Sequence, residues 1–150
     1  IFPDAVFVQI MRDPLSTVRS WLEVQWSSQI TDQLWWEGAY SDEELVNAKE
    51  ISNDKALFAA FQYRKLMQST AYEINKLHAD VYSVNYEDFV KDPKIFIAKM
   101  MEYMQLKPSK FVDTFMKKIS VQNRNNRAAA SSKTALSDET KKKIMEIVNT

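Results

Sequence analysis

The sequence predicts an α/β fold, rich in helix, with a small parallel sheet. Three observations carry this. Ala5 to Met11 is a short, nearly unbroken apolar run rich in β-branched residues. Such a run suits a strand buried on both faces of a parallel sheet. A second strand-like run, Ala79 to Tyr86, comes after a long stretch of helical periodicity. Both runs are followed by an Asp-Pro pair, Asp13-Pro14 and Asp92-Pro93. Asp at the N-cap and Pro at the first helical position mark a helix start. The resulting order is strand, helix, helices, strand, helices, which fits a three-layer α/β arrangement with helices in excess.

Each element has its own local reason. Pro14 to Ser28 reads as the first helix, with Leu15, Val18, Leu22 and Val24 to Trp26 as its apolar stripe. Gln29 to Tyr40, with Trp35, Trp36 and Gly38, reads as irregular. Ser41 and Glu44 form a capping box that opens a short helix to about Glu50. Asn53-Asp54 caps a longer one, whose apolar residues Leu57, Phe61, Leu66, Met67, Ala71, Ile74 and Leu77 recur at helical period. Tyr63, Arg64 and Tyr72 along it read as packing and surface residues. After the second strand, Asp92-Pro93 starts a helix to about Gln105, with Ile95, Ala98, Met101 and Met104 facing inward. Ser109 caps the next helix, to Lys118, and Ser137 caps the last, which buries Ile144, Ile147 and Val148. The methionines Met100, Met101, Met104 and Met116 read as adaptable core filler.

Composition narrows the function classes. The chain has 150 residues, 45% hydrophobic and 27% charged, enough for one domain with a core. Lys+Arg and Asp+Glu each count 20, so the net charge is zero. That disfavours nucleic acid or a membrane surface as a generic electrostatic partner. No apolar run approaches a membrane span, and no stretch reads as a signal peptide. Cysteine is absent and there is no Asn-x-Ser/Thr site, which fits a cytoplasmic protein. His78 is the single histidine, which excludes a histidine metal cluster, and no metal is expected. It sits at the end of the long helix, where a cation suits the dipole. One glycine, Gly38, is very few for an α/β domain, whose phosphate loops usually need glycine.

The segment from Phe2 to Leu22 carries most of the functional signal. A strand running into a helix N-terminus presents backbone N–H groups and the positive end of a helix dipole, a ready anion site. Arg12, at the strand's end, adds a guanidinium fork that fits phosphate oxygens. Ser16 and Ser20 are four apart and share one helical face. The plainer alternative is that Arg12 pairs with Asp13 or Asp4 and the serines are solvated. The tryptophans Trp21, Trp26, Trp35 and Trp36 read first as cover for the core, and second as a wall for an aromatic or sugar-like acceptor.

Phe2-Pro3-x-Ala5, an apolar strand, Arg12-Asp13-Pro14 and a serine eight residues after the arginine resemble the 3′-phosphate-binding element of the sulfotransferases that use 3′-phosphoadenosine-5′-phosphosulfate, PAPS. Downstream, Tyr86-Glu87-Asp88-Phe89, the Asp92-Pro93 helix start and the Leu106-Lys107-Pro108 turn are similar to the same family's pattern. The resemblance implies a P-loop NTPase-like three-layer fold, of which this chain is the C-terminal part. It implies that Arg12 and Ser20 hold the donor's 3′-phosphate, that Tyr86 packs against its adenine, and that Ser120 approaches the same base. It also implies a basic loop over the 3′-phosphate. The polar stretch Val121 to Ala135 stands at that place in chain order, but the family's Arg-Lys-Gly does not occur in it. Arg124 is the first choice there, with Arg127 and Lys133 open, and a plain linker is the alternative reading.

By resemblance, the chain supplies the 3′-phosphoadenosine half of a site that moves a sulfuryl group from PAPS to a hydroxyl or amine on a small-molecule or glycan acceptor. The family's phosphosulfate loop and base precede the Arg12 element, so no catalytic residue is named and the chain alone is expected to be inactive. Two other readings stand beside it. One is a nucleotide kinase-like P-loop fragment. The other is a non-enzymatic helical interaction domain that uses the aromatic region around Trp35.

Overall fold

The two apolar runs do pair. The computed structural model describes residues 5–23, 33–34, 40–107, 109–122 and 135–150, with backbone alone for 118–122. The described elements are, in order, β1 (Val6–Met11), α1 (Pro14–Glu23), α2 (Asp42–Ile51), α3 (Lys55–Leu77), β2 (Asp80–Asn85), α4 (Tyr86–Lys91), α5 (Pro93–Tyr103), α6 (Lys110–Gln122) and α7 (Asp138–Val148). β1 and β2 are parallel, in register from Val6↔Asp80 to Met11↔Asn85. Parallel strands need a long crossover, and α1 to α3 fall within it. The chain divides into two compact units, Ile1–Arg12 with Ile74–Ser132, and Asp13–Glu73 with Lys133–Thr150.

In the first unit, α4 and α5 pack on β2, and α6 packs on α5. Phe89 meets Phe96 edge-on at 6.5 Å, and Tyr82 meets Tyr103 at 5.1 Å. The Tyr103 hydroxyl donates to the Asp80 carboxylate, and that bond raises the tyrosine's pKa. Three expectations are corrected here. β1 is not buried on both faces: Phe7, Val8 and Ile10 are exposed, Ile10 at 58%. Among the described residues the sheet has two strands, so β1 has one neighbour and its faces are only partly covered. The second strand ends one residue early, and Tyr86 opens the six-residue helix α4. On α5, Ile95 and Ala98 are exposed, while Phe96, Ile97, Met100, Met101 and Met104 are half-buried. That stripe keeps the 3-and-4 spacing of an amphipathic helix, rotated from the expected one.

The second unit holds most of the buried apolar side chains. Val18 of α1, Ala56, Ala59 and Ala60 of α3 and Ile144 of α7 form one cluster, with Leu15, Trp21, Leu22 and Val148 against it. Ala48, Phe58 and Phe61 form another, with Leu34, Tyr40, Ile51 and Ile147 around it. The small residues of α3 let its neighbours approach closely, so this half of the helix is buried. Its other end is open, with Leu77 64% exposed.

The caps sit where local chemistry placed them. Asp13 Oδ2 accepts from Ser16 N–H at 2.7 Å, Asp54 Oδ1 from Ala56 and Leu57, Asp92 Oδ1 from Ile95, and Ser137 Oγ from Thr140. α3 and α5 end differently. His78 and Gln105 both take positive φ, 48° and 55°. In each, the next N–H reaches back five residues, Ala79 to Ile74 and Leu106 to Met101, as in a Schellman cap. Non-glycine residues fill a conformation that favours glycine.

Glu44 joins α2 to α3. Its carboxylate closes the capping box by accepting from Ser41 N–H at 2.8 Å, and it accepts from Lys65 Nζ on both oxygens, at 2.7 and 2.8 Å. Burial pushes its pKa up. The Lys65 hydrogen bond, the Ser41 N–H and the charges of Lys65 and Arg64 outweigh that and hold it below the usual 4.5. A carboxyl with a depressed folded-state pKa stabilises the fold above its unfolded value and loses that contribution as pH falls through the folded one. Glu44→Gln is therefore expected to lower stability by about 1–2 kcal/mol at pH 7. The difference from wild type should shrink below about pH 4.5. Urea melts at several pH values read this directly, and a constant difference down to low pH would contradict it.

Candidate functional site

The parallel register builds the site. Met11 and Asn85 are the last paired residues of β1 and β2, so Arg12 and Tyr86 each stand one residue beyond the pair, at the C-terminal edge of the sheet. That edge is where ligands of open α/β sheets bind. The Arg12 guanidinium carbon lies 4.9 Å from the centroid of the Tyr86 ring, over its face. Both side chains are half-buried, and the Val84 side chain two residues before Tyr86 is 5% exposed. Next along, Asp88 is engaged by Lys91 at 2.8 Å, and the bond raises the lysine's pKa. Arg12 thus brings a delocalised cation that lies over an aromatic ring. Its N–H donors lie in the plane of the fork, which is the geometry phosphate oxygens take.

The start of α1 contributes less than its sequence suggested. Pro14 has no N–H, and Ser16 N–H is taken by the Asp13 carboxylate. An anion there would face a carboxylate at the helix's positive end.

The other expected site residues fall as follows. Ser20 lies on α1, half-buried, in the second unit. Ser120 lies on α6, which runs past the expected end at Lys118, and its side chain is among those not described. Arg124, Arg127 and Lys133 lie outside the described residues, as do Trp26, Trp35, Trp36 and Gly38. Trp21 packs against the α1–α3–α7 cluster and lies 6.4 Å from Tyr63, which is the core reading. Arg64 lies 5.1 Å over Phe61 and donates to the Ile147 carbonyl at 3.4 Å, a packing role as expected. Among the described residues no group of three His, Cys, Asp or Glu could hold a metal, and no helix is long and apolar enough to cross a membrane.

One feature of the first unit was not foreseen. A cavity of about 670 Å³ lies between α5 and α6, with Ile97, Met101, Val112 and Met116 in its wall and Lys94 and Glu102 beside them. The i, i+4 pairs Ile97/Met101 and Val112/Met116 are its signal in the sequence, where only Met101 and Met116 read as core filler. Of the expected donor ligands whose side chains are described, Arg12, Ser20 and Tyr86, none lines it.

No curated protein and no solved structure matches the chain. The family comparison does, and its matched segment takes in Arg12, Ser20 and Tyr86 and stops before Ser120 and Arg124. With residues 1–110 of its 150 matching the model of the sulfotransferase family, the chain belongs to that family.

Proposed function

We propose that this chain forms the 3′-phosphoadenosine half of a PAPS site, in an enzyme that transfers a sulfuryl group to a hydroxyl or amine of a small-molecule or glycan acceptor. The observation that carries the reading is the half-buried Arg12 side chain, its guanidinium over the Tyr86 ring at the sheet's C-terminal edge, inside the segment that matches the family. In the reaction the acceptor oxygen or nitrogen attacks sulfur in line. The bond from sulfur to the bridging phosphate oxygen breaks, that oxygen leaves on 3′-phosphoadenosine 5′-phosphate, and the acceptor's proton passes to a base. Arg12, together with Ser20, holds the 3′-phosphate. Tyr86 stands beside Arg12 in the same site, Ser120 belongs to the nucleoside side, and Arg124 is the first choice for the basic loop. These residues bind and orient the donor, and no residue of the chain is assigned to the base or to the sulfuryl group. The chain is then the C-terminal part of one sulfotransferase domain.

Calorimetric titration of the intact protein, with the segment that carries the phosphosulfate loop supplied, with 3′-phosphoadenosine 5′-phosphate and with AMP tests this. Preference for the 3′-phosphorylated ligand is the expected result. Equal affinity points to a nucleotide kinase-like site, and binding of neither points to an interaction domain; both outcomes overturn the proposal.

A further inference from the structure

We infer that Tyr86 is a positioning residue for Arg12, so that its ring serves recognition of the donor's 3′-phosphate through the guanidinium. The inference rests on the donor-site reading above and gives Tyr86 a different task from packing against adenine. Two observations support it. The register that ends at Met11↔Asn85 sets the two residues side by side, Arg12 directly after β1 and Tyr86 in the first turn of α4. The guanidinium then lies over the ring at 4.9 Å, which commits that ring face to a cation.

The stack has a consequence for phosphate binding. An arginine side chain loses much rotamer freedom when it holds an anion. A ring that already restrains the guanidinium removes part of that loss before the ligand arrives, which is preorganisation. The ring attracts the charge of the guanidinium, whereas phosphate is held by its N–H groups, so the two interactions are compatible. The ring's effect should therefore follow the 3′-phosphate and be absent from a nucleotide that lacks one. It should also depend on the aromatic face and not on the hydroxyl.

The experiment uses Tyr86→Phe and Tyr86→Leu, with 3′-phosphoadenosine 5′-phosphate and AMP as probes in calorimetry, and the NMR shifts of the Arg12 Hδ protons. Tyr86→Phe should match wild type, both in showing those protons shifted upfield by the ring current and in its affinity for each probe. Tyr86→Leu should lose the upfield shift and bind 3′-phosphoadenosine 5′-phosphate about tenfold more weakly, with AMP unchanged. In an Arg12→Ala background Tyr86→Leu should add nothing. Equal loss for both probes means that the ring acts on adenine and overturns the inference, as does an unchanged ratio of the two affinities. Should Tyr86→Leu fail to fold, the wild-type spectrum decides, because Arg12 Hδ protons at unshifted positions are incompatible with the stack. A wild type that binds the two probes equally sinks the donor-site reading itself. A wild type that prefers the 3′-phosphate, with equal losses in Tyr86→Leu, sinks only the positioning role.

Discussion

Phe61→Ala is expected to destabilise the second unit by about 4 kcal/mol, close to the top of the range for a buried aromatic truncated to alanine. Phe61 is 2% exposed. Its ring stacks on Tyr40 at 5.8 Å and 17°, and it packs in the cluster with Ala48 and Phe58. Most of the neighbours are held by α2, α3 and α7 and cannot collapse freely into the space left behind. A second contribution comes from charge. The Arg64 guanidinium lies 5.1 Å over the same ring, and Arg64 Nε is buried with no hydrogen-bond partner among the described residues. Taking away the ring removes one of the few favourable contacts of that cation. Against a total stability of about 5–15 kcal/mol, a loss of this size removes a large share. The check is the urea midpoint followed by circular dichroism. Phe61→Leu, which keeps most of the volume, should cost under about 1.5 kcal/mol. A loss below about 1 kcal/mol for Phe61→Ala would mean that this cluster does not hold the unit together.

What could be read from the sequence was the chemistry that acts over four or five residues. Asp13, Glu44, Asp54, Asp92 and Ser137 all make the cap bonds their positions implied, because a cap needs only its own helix turn. The parallel pairing was also legible, since two strand-like runs separated by helices leave few other solutions. Exposure was not. Phe7 and Ile10 read as buried by type, yet their burial depends on which strands and helices lie beside them. On α5 the inward reading holds for Met101 and Met104 and fails for Ile95 and Ala98, for a related reason: Ile95 and Phe96 are both apolar, and only packing chooses between them. His78 and Gln105 gave no hint of their left-handed backbone, because neither is the glycine or asparagine that marks such a cap. At the site, the motifs singled out Arg12 and Tyr86 separately. Their stacking follows from the register, in which one residue of slip would have turned the side chains to opposite faces.

Arg12→Ala is expected to weaken binding of 3′-phosphoadenosine 5′-phosphate by about a hundredfold and to leave AMP within about twofold. Truncating one partner of a desolvated, hydrogen-bonded charge pair costs about 2–5 kcal/mol, and each 1.4 kcal/mol is a factor of ten. The low end is appropriate because Arg12 is half-buried and water screens part of the interaction. Arg12→Lys separates charge from shape. An ammonium keeps the charge but loses the planar fork and stacks less well on Tyr86, so an intermediate loss of about tenfold is expected. Affinity for the 3′-phosphorylated ligand should fall with added salt in wild type and in Arg12→Lys, and more shallowly in Arg12→Ala, because the cation responsible is gone. The comparison of two ligands controls for damage to the fold, since a misfolded variant loses both. If Arg12→Ala lowers the two affinities by one common factor, the guanidinium supports the sheet edge and does not meet the phosphate. The anion would then have to be met by other residues, with Ser20 and the basic stretch around Arg124 next in line for substitution.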